Sequence, residues 1–143
     1  MEITTFNPNM LDCIFSGTGT FDNLNEGEEF WLDHLFYTKY LFQISHNGEF
    51  IGIFEVRDIY ECDDGLLPEI HCYFLPSMRK YSIHALKAIK EFITEETTFK
   101  GILTTVLPNT EYVIRVLKMI GFFEMESDNE QGLHLMALTI KRN

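Results

Sequence analysis

Between Glu69 and Leu86 the sequence places an apolar strand, Ile70-His71-Cys72-Tyr73-Phe74-Leu75, then a short basic turn, Pro76-Ser77-Met78-Arg79-Lys80, and then the start of a helix near Ser82. A strand that hands a positively charged turn to a helix N-terminus offers an anion site, because unpaired backbone N–H groups and the helix dipole point the same way. The chemistry on offer is the binding of a phosphate-like group. Other groupings offer less. Ser16-Gly17-Thr18-Gly19-Thr20 lacks the Gly-Lys-Ser/Thr ending and the preceding apolar strand of a phosphate-binding loop, and reads as a plain connection. Cys62 beside Asp63 and Asp64 is too sparse for a metal, and His34 has no partner at metal-ligand spacing, so no metal is expected. His71 and Cys72 are no nucleophilic pair, since adjacent strand residues point to opposite faces.

The elements that must position this stretch follow from periodicity. Ile3 to Phe6 reads as a short strand, and Met10 to Phe15 as a short helix after the Asn7-Pro8-Asn9 turn. Asn25 with Glu28 forms a capping-box pattern before a helix from about Glu26 to Tyr37, whose Trp31, Leu32, Leu35 and Phe36 recur at helical spacing and read as core. Tyr40–Ser45 and Phe50–Ile59 flank His46-Asn47-Gly48-Glu49, a hairpin, because Asn-Gly supplies the positive φ angles of a tight primed turn. Gly52 marks a bulge or a close approach. Tyr60 to Gly65 is read as an acidic loop before a strand from about Pro68 to Leu75.

A helix from about Ser82 to Thr94 buries Ile83, Leu86, Ile89, Phe92 and Ile93, and a strand from Ile102 to Leu107 stops at Pro108. Asn109 or Thr110 caps the next helix, which turns Val113, Ile114, Val116, Leu117 and Ile120 inward and ends at Gly121. Two strands, Phe122–Glu126 and Leu133–Ile140, close the chain around the polar loop Ser127–Gly132. A helix crossing between the strands near residues 70 and 104 makes those two parallel. The expected fold is therefore α/β: a mixed, mostly antiparallel sheet of about seven strands with helices on both faces.

Bulk properties narrow the function. The 143 residues suit one domain, 1–143, with 45% apolar residues and no run long enough to span a bilayer. The three cysteines form no CxxC pair, and the N-terminus lacks the basic and apolar regions of a signal peptide, so a cytoplasmic setting is expected. A net charge of -11 works against nucleic-acid binding and favours cationic partners. The strand Leu133–Ile140, apolar on both faces, is read as an edge at which a homodimer could form.

The order of elements and two of its stretches resemble the GCN5-related N-acetyltransferases, which have the acyl-CoA N-acyltransferase fold. Ile70 to Arg79 looks like the family's cofactor strand and its approach to the pyrophosphate loop, and Asn109 with Val113 to Phe122 is similar to its closing helix with a Gly-Phe ending. The short acidic chain and the Arg79-Lys80-Tyr81-Ser82-Ile83-His84 loop look similar to compact phage-encoded members. The resemblance implies that the strands near 70–75 and 102–107 splay apart, leaving unpaired backbone groups to hold the pantetheine arm of acetyl-CoA. It places the cofactor on Tyr73, Phe74, Leu75, Arg79, Lys80, Tyr81, Ser82, Ile83, His84 and Asn109. Arg79 matches the first position of the family's (Gln/Arg)-x-x-Gly-x-(Gly/Ala) pattern. Ser82 and His84 stand where the pattern has small residues, and there a Cβ meets the approaching phosphate.

The same resemblance gives Glu69 the role of base toward an amine, since an ammonium has no lone pair. The family's usual proton donor to the leaving thiolate, a tyrosine, is Leu117 here. Tyr112 and Tyr73 are the substitutes by proximity. Glu61, Asp63, Asp64 and Glu69 would gather at the acceptor entrance and favour a cationic amine or a protein acceptor. Two functions stay open: an acetyl-CoA-dependent N-acetyltransferase, and a catalytically degenerate member of the fold kept as a binding or assembly module.

Overall fold

The computed structural model describes residues 1–6, 40–106, 110–125 and 132–142. The helices expected at 10–15 and 26–37, the loop 16–20, Asn109 and most of the loop 127–132 lie outside the described residues. A seven-stranded sheet has the order β1-β2-β3-β4-β5-β7-β6. Its strands are β1 (Glu2–Thr5), β2 (Tyr40–His46), β3 (Glu49–Cys62), β4 (Gly65–Phe74), β5 (Gly101–Val106), β6 (Phe123–Glu124) and β7 (His134–Thr139). A 3-10 helix, Pro76–Tyr81, leads directly into α1 (Ser82–Glu96), and α2 (Glu111–Ile120) follows β5. All strand pairs are antiparallel except β4 with β5, the pair that α1 connects.

Local chemistry accounts for most boundaries. Asn47 and Gly48 take φ of 52° and 80°, the primed turn that lets β2 and β3 twist together. Gly121 ends α2 in the left-handed region with φ 118°, its N–H on the Lys118 carbonyl and the Phe122 N–H on the Leu117 carbonyl, so these two carbonyls of the last turn are satisfied. The α1 helix lays Ala85, Ile89 and Ile93 into the core. Its Phe92 also meets the stacked rings of Phe42 and Phe54, with ring centroids 5.1 and 6.1 Å away. Lys90 Nζ donates to the Ile120 carbonyl, tying α1 to the end of α2.

Two expectations change. The acidic stretch 60–65 is not a loop: β3 and β4 remain paired to Cys62↔Gly65, leaving Asp63 and Asp64 as the turn. Its charges thus sit at the end of the hairpin, beside the start of β4. The strand β7 is no edge either. It lies between β5 and β6, which explains why both of its faces are apolar and removes the dimer edge read from it.

Both glycine expectations for β3 hold. The register between β2 and β3 shifts beside Gly52, and a Cβ there would stand 2.3 Å from the Tyr73 carbonyl oxygen of β4. Backbone on that side cannot rotate away. Gly52→Ala is therefore expected to cost about 2–3 kcal/mol, read as a lowered urea midpoint with an unchanged slope. A cost below about 0.5 kcal/mol would show that the two strands part without penalty.

Candidate functional site

β3 carries a second irregularity that builds the site. Val56 pairs with Ile70 and Asp58 with Glu69, so Arg57 is an extra residue with no opposite number. Before this bulge the odd-numbered residues of β3 share a face with His71 and Tyr73; after it the even-numbered ones share that face with Glu69. Glu55, Arg57, Asp58, Tyr60, Glu69, His71 and Tyr73 are thereby gathered on one side of the β3–β4 pair. Phe54, Val56 and Ile70 face the core on the other.

The gathered groups form two hydrogen-bonded sets. In the deeper one, the Glu55 carboxylate is fully buried and accepts from Arg57 Nη2 and from the Tyr73 hydroxyl, each at 2.9 Å, while Arg57 Nη2 also reaches the Tyr73 oxygen at 3.0 Å. A buried carboxylate persists only with such partners. Burial and the neighbouring Glu55 charge push the Tyr73 phenol well above its ordinary range, so it stays protonated as a donor to Glu55. In the shallower set, Glu69 accepts from the Tyr60 hydroxyl at 3.2 Å on one oxygen and lies 2.8 Å from His71 Nε2 on the other. The side chains of Glu69 and His71 are 16% and 12% exposed, enough for a small substrate group to reach the pair. Burial holds His71 below its ordinary value against the opposing pull of Glu69, so the imidazole is neutral near pH 7. The charge of Glu69 raises the Tyr60 phenol.

Beside these sets the sheet opens. The Lys100 N–H reaches the Leu66 carbonyl at 3.0 Å, and β4 and β5 then form a single ladder pair, Glu69↔Leu103. Past that pair the two strands have no further ladder between them, although β4 runs on to Phe74 and β5 to Val106. Alternate N–H and C=O groups of both strands therefore face a gap. The carboxylate of Glu69 belongs to the residue at which the strands part.

Residues 9–137 match a family described as "Protein of unknown function (DUF2824)". The chain belongs to DUF2824. No curated protein matches its sequence. Solved structures do match this DUF2824 chain in shape. Spermidine N-acetyltransferase from Vibrio cholerae in complex with CoA and spermine is similar with a TM-score of 0.74 at 12% identity, covering 96% of this chain and 94% of that one. N-acetyltransferase PseH from Campylobacter jejuni is similar with a TM-score of 0.72 at 13% identity over 98% of both chains. A putative phosphinothricin N-acetyltransferase gives 0.72 at 11% identity over 99% of both. The DUF2824 chain has the fold of the GCN5-related N-acetyltransferases.

The structure brings some of the residues singled out in the sequence together and leaves others apart. Glu69 and Tyr73 join the polar face, Phe74 ends β4 beside the gap, and Leu75 follows it with its N–H on the Ile51 carbonyl. Arg79, Lys80 and His84 are exposed, and Tyr81, Ser82 and Ile83 are half-buried. The turn differs from the expected row of open N–H groups: the Met78 N–H is bonded to the Leu75 carbonyl and the Ser82 N–H to the Arg79 carbonyl. Lys80 Nζ lies 5.3 Å from the centre of the Tyr81 ring. Tyr112, 58% exposed, stands in the first turn of α2, and Leu117 is buried in the core.

Glu55 and Arg57 were missed by sequence reasoning. The available signal was Glu55 interrupting the apolar run Ile51–Val56, with Arg57 directly after it. Cys72 faces the core side, where burial pushes its thiol up to about 12, which makes it inert. Among the described residues no group of three or more His, Cys, Asp or Glu side chains could hold a metal, and no helix is long and apolar enough to cross a membrane.

Proposed function

We propose that the chain is an N-acyltransferase that moves an acetyl group from acetyl-CoA to a primary amine of cationic character. The observation that carries this reading is the position of Glu69, a partly exposed carboxylate at the single residue pair where β4 and β5 part. The gap fits the pantetheine arm, since past Glu69↔Leu103 the backbone N–H and C=O groups of β4 and β5 form no ladder across it. The turn fits the pyrophosphate in a different way from an open glycine loop. With the N–H groups of Met78 and Ser82 already engaged, the side chains of Arg79 and Lys80 supply the positive charge, and Tyr81, Ser82, Ile83 and His84 line the approach. Bound acetyl-CoA supplies an activated acyl thioester.

The chain's own groups do the rest. Glu69 takes a proton from the incoming ammonium and leaves an amine with a free lone pair. Asp58, paired with Glu69 across the hairpin, adds negative charge beside it and favours a cationic acceptor. Tyr73 cannot readily serve the leaving thiolate, because Glu55 holds its proton; the exposed Tyr112 in the first turn of α2 is the hydroxyl we assign to that role.

Thermal stability with and without acetyl-CoA tests the reading. A ligand at a hundred times its Kd adds about 2.7 kcal/mol, a shift of several degrees in Tm. Arg79→Ala is expected to remove most of that shift, and added salt to weaken it. No shift at millimolar acetyl-CoA overturns the reading. A second reading is then favoured by Leu117 in the core and by the engaged N–H groups of the turn: a binding or assembly module on the same fold, without transferase activity. Spermidine, the acceptor named for similar structures, is the first amine to assay.

A further inference from the structure

We infer that His71 is a positioning residue for Glu69: its imidazole Nε2–H and the Tyr60 hydroxyl hold the two carboxylate oxygens from two sides and fix the carboxylate at the parting of the strands. The inference rests on the acyltransferase reading for its purpose, and on geometry for its substance.

The polar face contains two carboxylates in opposite circumstances. Glu55 is fully buried against the guanidinium of Arg57, so its charge is matched in place. Glu69 is held by a phenol and an imidazole instead, and neutral donors leave a carboxylate its full negative charge. Such a group is aimed without being neutralised, which is the condition for drawing a proton from an ammonium. For His71 to donate from Nε2, the ring must carry its proton there and leave Nδ1 bare.

The groups facing the ring agree with a neutral state. From β3 come Glu55, Arg57, Asp58 and Tyr60; from β4 come Glu69 and Tyr73; the residue of β5 opposite Glu69 is the apolar Leu103. Burial disfavours a second cation most, Arg57 repels it further, and the carboxylates pull the other way without prevailing. A glutamate at a strand edge without such a grip samples several rotamers and must be ordered by its substrate; a gripped one is ready beforehand.

The test begins with nuclear magnetic resonance of 15N-histidine-labelled protein. Long-range 1H–15N correlations are expected to show the Nε2–H tautomer of His71 at pH 7, with a titration midpoint below the ordinary 6.5. In Glu69→Gln the midpoint falls further, because the carboxylate hydrogen bond and the charge of Glu69 are lost and only Glu55 still raises it. An Nδ1–H tautomer, or a midpoint indifferent to Glu69→Gln, overturns the inference. In the spermidine assay, His71→Leu is expected to lower kcat by about tenfold with the KM for acetyl-CoA unchanged. His71→Gln, whose amide nitrogen can stand near the place of Nε2, restores most of the rate. Equal rates for the Leu and Gln variants also overturn it. If the wild-type protein binds acetyl-CoA but transfers nothing, the acyltransferase reading fails, and the tautomer and midpoint still decide whether His71 holds Glu69.

Discussion

Replacing Glu69 with glutamine is expected to slow acetyl transfer to spermidine by at least about a hundredfold, the usual share of a positioned general base. The substitution conserves size and leaves the backbone pair with Leu103 in place, so the gap and the KM for acetyl-CoA should not change. What disappears is the acceptor for the ammonium proton. The deficit should also shrink as the pH is raised toward the acceptor's own pKa, because an amine already free of its proton needs no base. Release of the CoA thiol, followed with a chromogenic disulfide from pH 7 to 10, reads both effects. A Glu69→Gln enzyme with the wild-type rate at pH 7 would remove Glu69 from the chemistry.

The largest effect on stability is expected at Glu55. Truncating one partner of a buried ion pair costs about 3–5 kcal/mol, because the other partner is left desolvated and unmatched. Here Arg57 keeps 38% of its side chain exposed and can turn part of its charge to water, which places Glu55→Leu near 3 kcal/mol, at the lower end of that range. The Tyr73 hydroxyl loses its acceptor at the same time. Tyr73→Phe alone, which leaves Glu55 with Arg57, should cost about 1–2 kcal/mol. Pairing Glu55→Leu with Arg57→Met should recover most of the loss, since a matched apolar pair carries no orphaned charge. Urea unfolding of the four proteins separates these cases. If Glu55→Leu lost less than about 1 kcal/mol, Glu55 would not anchor the polar face.

The sequence was most informative where a single residue decides geometry. The Asn47-Gly48 turn, the stop at Gly121 and the close approach at Gly52 all stand as their chemistry requires, and the apolar periods of 82–94 and 113–120 place both helices within a few residues. The parallel pair followed from a helix crossing between two strands. What escaped was parity. Reading 50–59 as a uniform alternation puts Glu55 and Arg57 on a face chosen by counting, and one bulged residue changes which side chains meet. No local signal separates the bulge at Arg57 from regular strand, because its cause is the partner's register. Residues 60–62 were misplaced for a related reason, since the acidic stretch suggested a loop and pairing with β4 extended the strand up to the Asp63-Asp64 turn. The basic turn was legible in its side chains but not in its backbone, where a 3-10 helix engages N–H groups that the sequence leaves open.

Strands in a sheet resist being pulled apart through their ladders, and across β4 and β5 that resistance falls to one pair and one neighbouring hydrogen bond. The sheet is mechanically two plates, β1 to β4 on one side and β5, β7 and β6 on the other, with α1 spanning them as a strap. Within the described backbone, their spreading is opposed by that pair and that hydrogen bond. Whatever lodges between them acts as a rivet, stiffening the molecule along a line that the backbone of the two strands crosses with a single ladder pair.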